Sequence, residues 1–157
     1  MHDIHADSTR PYYSHSQTTM GSITTSVNPF LMFEGDAEAA LNFYVQTIPG
    51  STIISITRYG PGEAGTEGKV SMARANIGGS LEVMAIDSYV KHAFKFTPSL
   101  SLFVKFNDEH GENAIDRIVG ALGEGGEVLM SLDNYGFSRQ FAWVNDRFGV
   151  SWQLSLE

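Results

Sequence analysis

Cysteine is absent from the 157-residue chain, which excludes disulfides, Cys-based zinc sites and thiol catalysis and leaves His, Asp and Glu as metal ligands. Basic residues are scarce. Ten Lys and Arg face eighteen Asp and Glu, for a formal charge of −8, and the ten are dispersed. No cationic stripe exists to neutralise a phosphate backbone, so nucleic acid is not an expected partner. No apolar run approaches the ~20 residues of a membrane-spanning helix, and the N-terminus lacks the basic flank and apolar stretch of a secretory leader. The expectation is therefore no membrane partner and a cytoplasmic location. Gly-x-Ser-x-Gly, His-Glu-x-x-His and phosphate-loop motifs are also missing.

Residues 1–27 contain ten Ser and Thr and three His (His2, His5, His15), with scattered apolar groups of no helical or strand period. Such a segment buries too little surface to offset its ordering entropy, which predicts a disordered tail. The histidine spacings fit no ligand cluster, and Met20 offers a second possible start.

From Asn28 the pattern changes. Pro29-Phe30-Leu31-Met32-Phe33 has strand length, and Gly35-Asp36 ends it with Asp36 placed as a helix N-cap. Ala37, Ala40, Leu41, Tyr44, Val45 and Ile48 then mark one buried helix face, stopped by Pro49-Gly50. Strand-like runs follow at 52–59, 70–77 and 80–86, the first two separated by a loop holding Gly60, Gly62, Gly65 and Gly68. After a ten-residue connector the order returns: a strand at 99–106, a helix capped at Asn107-Asp108 with Ala114, Ile115, Ile118, Val119 and Leu122 on its apolar face, and strands at 127–132, 138–145 and 150–156. The chain therefore reads as α+β, two βαβββ modules at 28–87 and 98–157, with Ser80-Leu81-Glu82-Val83 aligned on Ser151-Trp152-Gln153-Leu154 as traces of duplication.

One helix covers only one face of a four-stranded sheet. The two open faces together predict a sheet wrapped around a cleft, with helices outside. Alternation places Val150, Trp152, Leu154 and Leu156 on the helix side and Ser151, Gln153 and Ser155 on the cleft side; it likewise sends Leu81, Val83 and Ala85 inward and Ser80, Glu82, Met84 and Ile86 to the cleft. Glu82 and Gln153 are thereby expected to face each other. A carboxylate there needs water, a partner or a cation; with a raised pKa Glu82 could act as a general base, with Arg74 or Arg139 as electrophile. Trp143, Phe141, Tyr135 and Tyr59 are candidates for stacking a flat ligand, with core packing as their alternative role.

The Asp-x-Glu-x-x-x-x-Phe-Tyr helix (Asp36, Glu38, Phe43, Tyr44) and the segment Asp146-Arg147-Phe148-Gly149-Val150-Ser151-Trp152-Gln153 resemble the vicinal oxygen chelate superfamily, also called glyoxalase/bleomycin resistance/dioxygenase. Asn28-Pro29-Phe30-Leu31-Met32-Phe33 and Phe94-Lys95-Phe96-Thr97-Pro98 narrow the resemblance to its PhnB-like branch, whose members often carry the label 3-demethylubiquinone 3-methyltransferase. The resemblance implies a divalent metal held by residues of the first, fourth, fifth and eighth strands, here Pro29, Glu82, Ser101 and Gln153. Glu82 alone is a strong donor among them, so no metal cofactor is expected, and Glu82 would be the ligand of any divalent ion that does bind. The four-glycine loop lacks the strand-to-helix setting of an S-adenosylmethionine site and reads as a hairpin loop.

Two functions follow as expectations. One is a small-molecule-binding protein with Glu82, Gln153, Ser101, Tyr59 and Trp143 around the ligand, for which a net acidic chain suits a cationic compound. The alternative is a metal-dependent lyase, isomerase or dioxygenase with a rebuilt site. The resemblance also implies a homodimer.

Overall fold

A computed structural model describes residues 24–107 and 112–157. The tail before Thr24, and the expected cap Asp108 with its neighbour His110, lie outside the described residues. The elements are β1 (Phe30–Phe33), α1 (Ala37–Thr47), β2 (Thr52–Arg58), β3 (Val70–Ile77), β4 (Leu81–Asp87), β5 (Ser101–Phe106), α2 (Glu112–Gly123), β6 (Glu127–Asp133), β7 (Gln140–Asn145) and β8 (Ser151–Leu156). This is the α+β pair of βαβββ modules that the periodicities predict. The strands form two separate four-stranded sheets, β1-β4-β3-β2 and β5-β8-β7-β6. In each, the module's first strand runs parallel to its last, β1 with β4 and β5 with β8, and the other neighbours are antiparallel.

The helix-covered sides of both sheets merge into one core. Ala37, Ala40, Leu41 and Tyr44 of α1, and Ile48 just past its end, pack there with Ile115, Ile118 and Leu122 of α2, and with Val83, Ala85, Trp152, Leu154 and Leu156 of the strands. Tyr44 meets Trp152 edge-on at 4.9 Å and Phe148 at 6.3 Å, and Phe148 reaches Phe33 and Phe43 at 6.5 and 6.1 Å. Aromatic side chains of one module thus cross-pack onto the other. Such edge contacts each add roughly 0.5–1.5 kcal/mol beyond area burial.

Two buried carboxylates organise the backbone, and the first of them replaces the cap expected at Asp36. Asp36 makes no side-chain cap hydrogen bond. Instead Asp87, at the end of β4, accepts from the backbone N–H of Gly35 (2.8 Å) and Ala37 (2.9 Å) through Oδ1 and from Val70 (3.0 Å) through Oδ2. A negative group delivered by another strand satisfies the free N–H groups at the start of α1 and locks it to its sheet. Alternation alone would make residue 87 apolar, which is why the sequence pattern missed it.

The second carboxylate explains the Asp-x-x-Gly motif. Asp146 Oδ1 accepts from the N–H of Phe148 (2.8 Å) and Val150 (3.1 Å), and Oδ2 accepts from Trp152 Nε1 (2.9 Å). Gly149 carries φ +88°, a conformation a side chain rarely adopts. Arg147 then lies over the Phe43 ring at 4.0 Å, a cation–π contact between modules.

Element ends shift where side chains compete for the backbone. Ser138 belongs to no strand because its hydroxyl donates to the carbonyls of Gln140 and Leu156, so β7 starts at Gln140. Leu100 closes a turn on the Thr97 carbonyl after Pro98, so β5 starts at Ser101 and not at residue 99. Tyr59 lies just past β2, and a side chain at Gly65 would begin 2.3 Å from its ring, so the glycine loop folds onto Tyr59.

Replacing Asp146 by Ala leaves two backbone N–H groups and one indole N–H buried without an acceptor. At roughly 1–3 kcal/mol for each such group, partly relieved by water, the expected loss is about 3 kcal/mol or more. Urea unfolding followed by circular dichroism checks this; a loss below about 1 kcal/mol contradicts the assignment.

Candidate functional site

The open face of the second sheet carries a polar cluster. Gln153 on β8 donates from Nε2 to Ser101 Oγ on β5 at 2.7 Å, and Trp143 on β7 donates from Nε1 to Ser151 Oγ on β8 at 2.8 Å. The register explains both pairs: Ser101 lies opposite Ser151 in the parallel ladder, and Trp143 lies opposite Gln153 in the antiparallel one. Three of the expected site residues, Gln153, Ser101 and Trp143, therefore come together. Phe103, which the sequence reading overlooked, lies opposite Gln153 and is half exposed. Its ring stands 6.3 Å from Phe141, which is covered in turn by Tyr135 and Phe137 at 6.0 and 5.0 Å. Strand alternation from Ser101 onward is the signal that could have identified Phe103.

Ser101, Ser151 and Phe103 also line a groove of about 430 Å³ between the modules. Leu31, Leu81, Leu102 and Val150 supply much of its wall, and the connector contributes Lys95, Phe96, Thr97 and Leu100. An apolar groove ending in a few convergent polar groups is the usual form of a small-molecule site, and its size is in the usual range.

Glu82 and Tyr59 lie elsewhere. Arg74 donates to both Glu82 oxygens, Nε to Oε1 at 2.7 Å and Nη2 to Oε2 at 3.0 Å. The Arg74 hydrogen bond holds the Glu82 carboxyl below its ordinary range, the opposite of the raised value that suits a general base. Tyr59 donates its hydroxyl to the Asp87 carbonyl at 3.3 Å and meets Tyr89 of the connector edge-on. His92 contacts Ser88 Oγ at 2.9 Å and stacks on Phe94.

The register also revises the internal alignment. Ser88 N–H donates to the Phe33 carbonyl as Glu157 N–H does to that of Phe106, so these residues correspond. Carried along the strands, Met84 opposite Arg74 matches Gln153 opposite Trp143, and Glu82 opposite Asn76 matches Ser151 opposite Asn145. The expected equivalence of Glu82 and Gln153 was displaced because a local match of four residues ignored the ladder.

These residues do not fit a divalent metal. Pro29 has no donor side chain, the Ser101 hydroxyl accepts from Gln153, and Glu82 is tied by Arg74. Among the described residues no group of three or more His, Asp or Glu could hold an ion. Because the folded carboxyl pKa of Glu82 is lowered, the stabilisation from its pair with Arg74 is present above the unfolded pKa and lost as pH falls through the folded value. Carboxyl-carbon NMR titration should place Glu82 below an ordinary glutamate and return it to the ordinary range in Arg74→Met.

The fold is shared with known proteins. No curated protein matches. Among solved structures, the PhnB protein from Bacillus cereus is 46% identical, with 85% of this chain and 100% of that one covered at a TM-score of 0.79. A Pseudomonas aeruginosa protein is 29% identical, covering 85% and 98%, at a TM-score of 0.66. The fosfomycin resistance protein FosX from Listeria monocytogenes, solved with Mn(II) and sulfate, shares the fold at 12% identity and a TM-score of 0.54, covering 86% and 91%. The sequence model of the 3-demethylubiquinone-9 3-methyltransferase family matches residues 25–155, and the chain belongs to that family, the PhnB-like branch of the vicinal oxygen chelate fold.

Proposed function

We propose that the protein binds a small organic molecule in the groove between its modules, without a resident metal. The observation that carries this reading is the convergence of the Gln153–Ser101 and Trp143–Ser151 pairs with Phe103 at one end of an apolar groove. The pairs fix the orientation of hydroxyl and amide groups, and Phe103 offers a half-exposed ring for stacking. The metal-dependent lyase, isomerase or dioxygenase reading would need donors recruited from outside these positions. The family's label names methyl transfer, but the β2–β3 connection is an antiparallel hairpin, so its glycines do not form the strand-to-helix turn of a doubly wound nucleotide site.

Metal analysis and ligand screening together test the proposal. Protein purified without chelator is expected to contain well under about 0.1 equivalent of transition metal, and added Zn²⁺ or Mn²⁺ should leave Tm unchanged. A panel of flat apolar compounds bearing one hydrogen-bonding group should raise Tm in the parent and less in Phe103→Ala. About one equivalent of bound metal, lost in Glu82→Ala, overturns the reading.

The proposal includes a cytoplasmic homodimer. Phe30 and Met32 are exposed beside Met84 and Ile86 on the open face of the first sheet, and Phe103 and Phe137 are exposed on the second. Exposed apolar sheet faces call for a cover, and a self-complementary pair of chains supplies one. Sedimentation at micromolar concentration should give the mass of two chains; a monomer refutes this part.

A further inference from the structure

The groove has a chemical polarity that small-molecule binding alone does not explain. Lys95 is its only charged lining residue, and no carboxylate lines it. The chain has four lysines. Lys69 donates to the Gly35 carbonyl, Lys91 pairs with Glu34 and Lys105 pairs with Glu157. Lys95 has no carboxylate partner among the described residues. In a chain with eighteen acidic residues and a net charge of −8, the lysine that lines this groove is the one with no hydrogen-bond or ion-pair partner among the described residues.

The hydroxyls of Thr97, Ser101 and Ser151 line the same groove, and Leu31, Leu81, Leu100 and Leu102 form its apolar wall. We propose that the ligand is an amphipathic monocarboxylate, its hydrocarbon part between the modules and its carboxylate at Lys95. This rests on the groove being the binding site, and it reverses the cationic ligand suggested by the net charge. Burial of the hydrocarbon supplies most of the affinity, at roughly 25 cal/mol per Å² removed from water. The lysine, largely solvated, contributes less to affinity than to the choice of charge. A single ammonium matches one carboxylate; a phosphate is better held by guanidinium forks or a helix N-terminus, and neither lines the groove.

Calorimetric titration of the full chain with decanoate, decanol and decyltrimethylammonium, each below its micelle concentration, tests the proposal. Lys95 and Leu100 are both exposed, so Lys95→Met and Leu100→Glu are expected to fold, with the unliganded Tm of each as the check. Decanoate should bind the parent protein more tightly than the ammonium compound does. Lys95→Met should weaken decanoate about threefold and leave decanol unchanged, and Leu100→Glu should weaken both. Decanol binding that responds to Leu100→Glu, with decanoate unaffected by Lys95→Met, overturns the charge assignment while leaving the groove as the binding site. Tighter binding of the ammonium compound, or no decanoate binding, overturns the proposal, and the flat-compound panel then decides independently whether the groove binds anything.

Discussion

A single buried carboxylate, Asp146, organises more of this molecule than any other group. By collecting the N–H groups of Phe148, Val150 and Trp152 it folds the turn before β8 into one shape. That shape sends Arg147 and Phe148 onto α1 of the other module, sets Trp152 in the shared core, and turns Ser151 and Gln153 to the open face. The negative charge is tolerated because every contact is a donor aimed at it, the condition under which a buried carboxylate is not a liability. Burial, followed by the same carboxylate, raises the pKa of the Tyr44 hydroxyl and keeps it neutral inside the aromatic cluster.

The duplicated modules use acids differently. In the first, Asp87 stands at the end of β4 and ties α1 and β3 to it. In the second, Asp146 stands before β8 and ties the modules together. Matching ladder positions have diverged in the same way: where one sheet has Met84 and Arg74, the other has Gln153 and Trp143. The first sheet engages its open-face acid with Arg74, whereas the second keeps neutral amide, hydroxyl and indole groups. An uncharged polar cluster costs less to desolvate than an ion pair, which makes the second sheet the better wall for an organic ligand.

Most of the fold was legible in the residues. The helix face of Ala37, Ala40, Leu41 and Tyr44 and the alternation through Trp152 and Leu154 are direct consequences of packing periodicity. The cap of α1 was not legible, because its acceptor is fifty residues away in β4 and depends on tertiary structure. The site was half legible. Alternation brought out Gln153, and Ser101 and Trp143 also belong to the cluster; Glu82 was expected to have a raised pKa with Arg74 or Arg139 as electrophile, because its own strand does not show that the adjacent strand brings Arg74 onto both of its oxygens. Phe103 and Lys95 were overlooked because a half-exposed ring and a connector lysine look like ordinary surface until the groove between modules is seen.

The two tryptophans have opposite surroundings. Trp152 is fully buried against Tyr44 and hydrogen-bonded to a carboxylate, whereas Trp143 is only partly covered and donates to Ser151, a residue that lines the groove. An indole in each setting gives the chain two intrinsic optical reporters. Emission from Trp152 follows the integrity of the joined core, and emission from Trp143 follows what happens at the groove wall, so occupancy and unfolding can be read as separate signals without any added label.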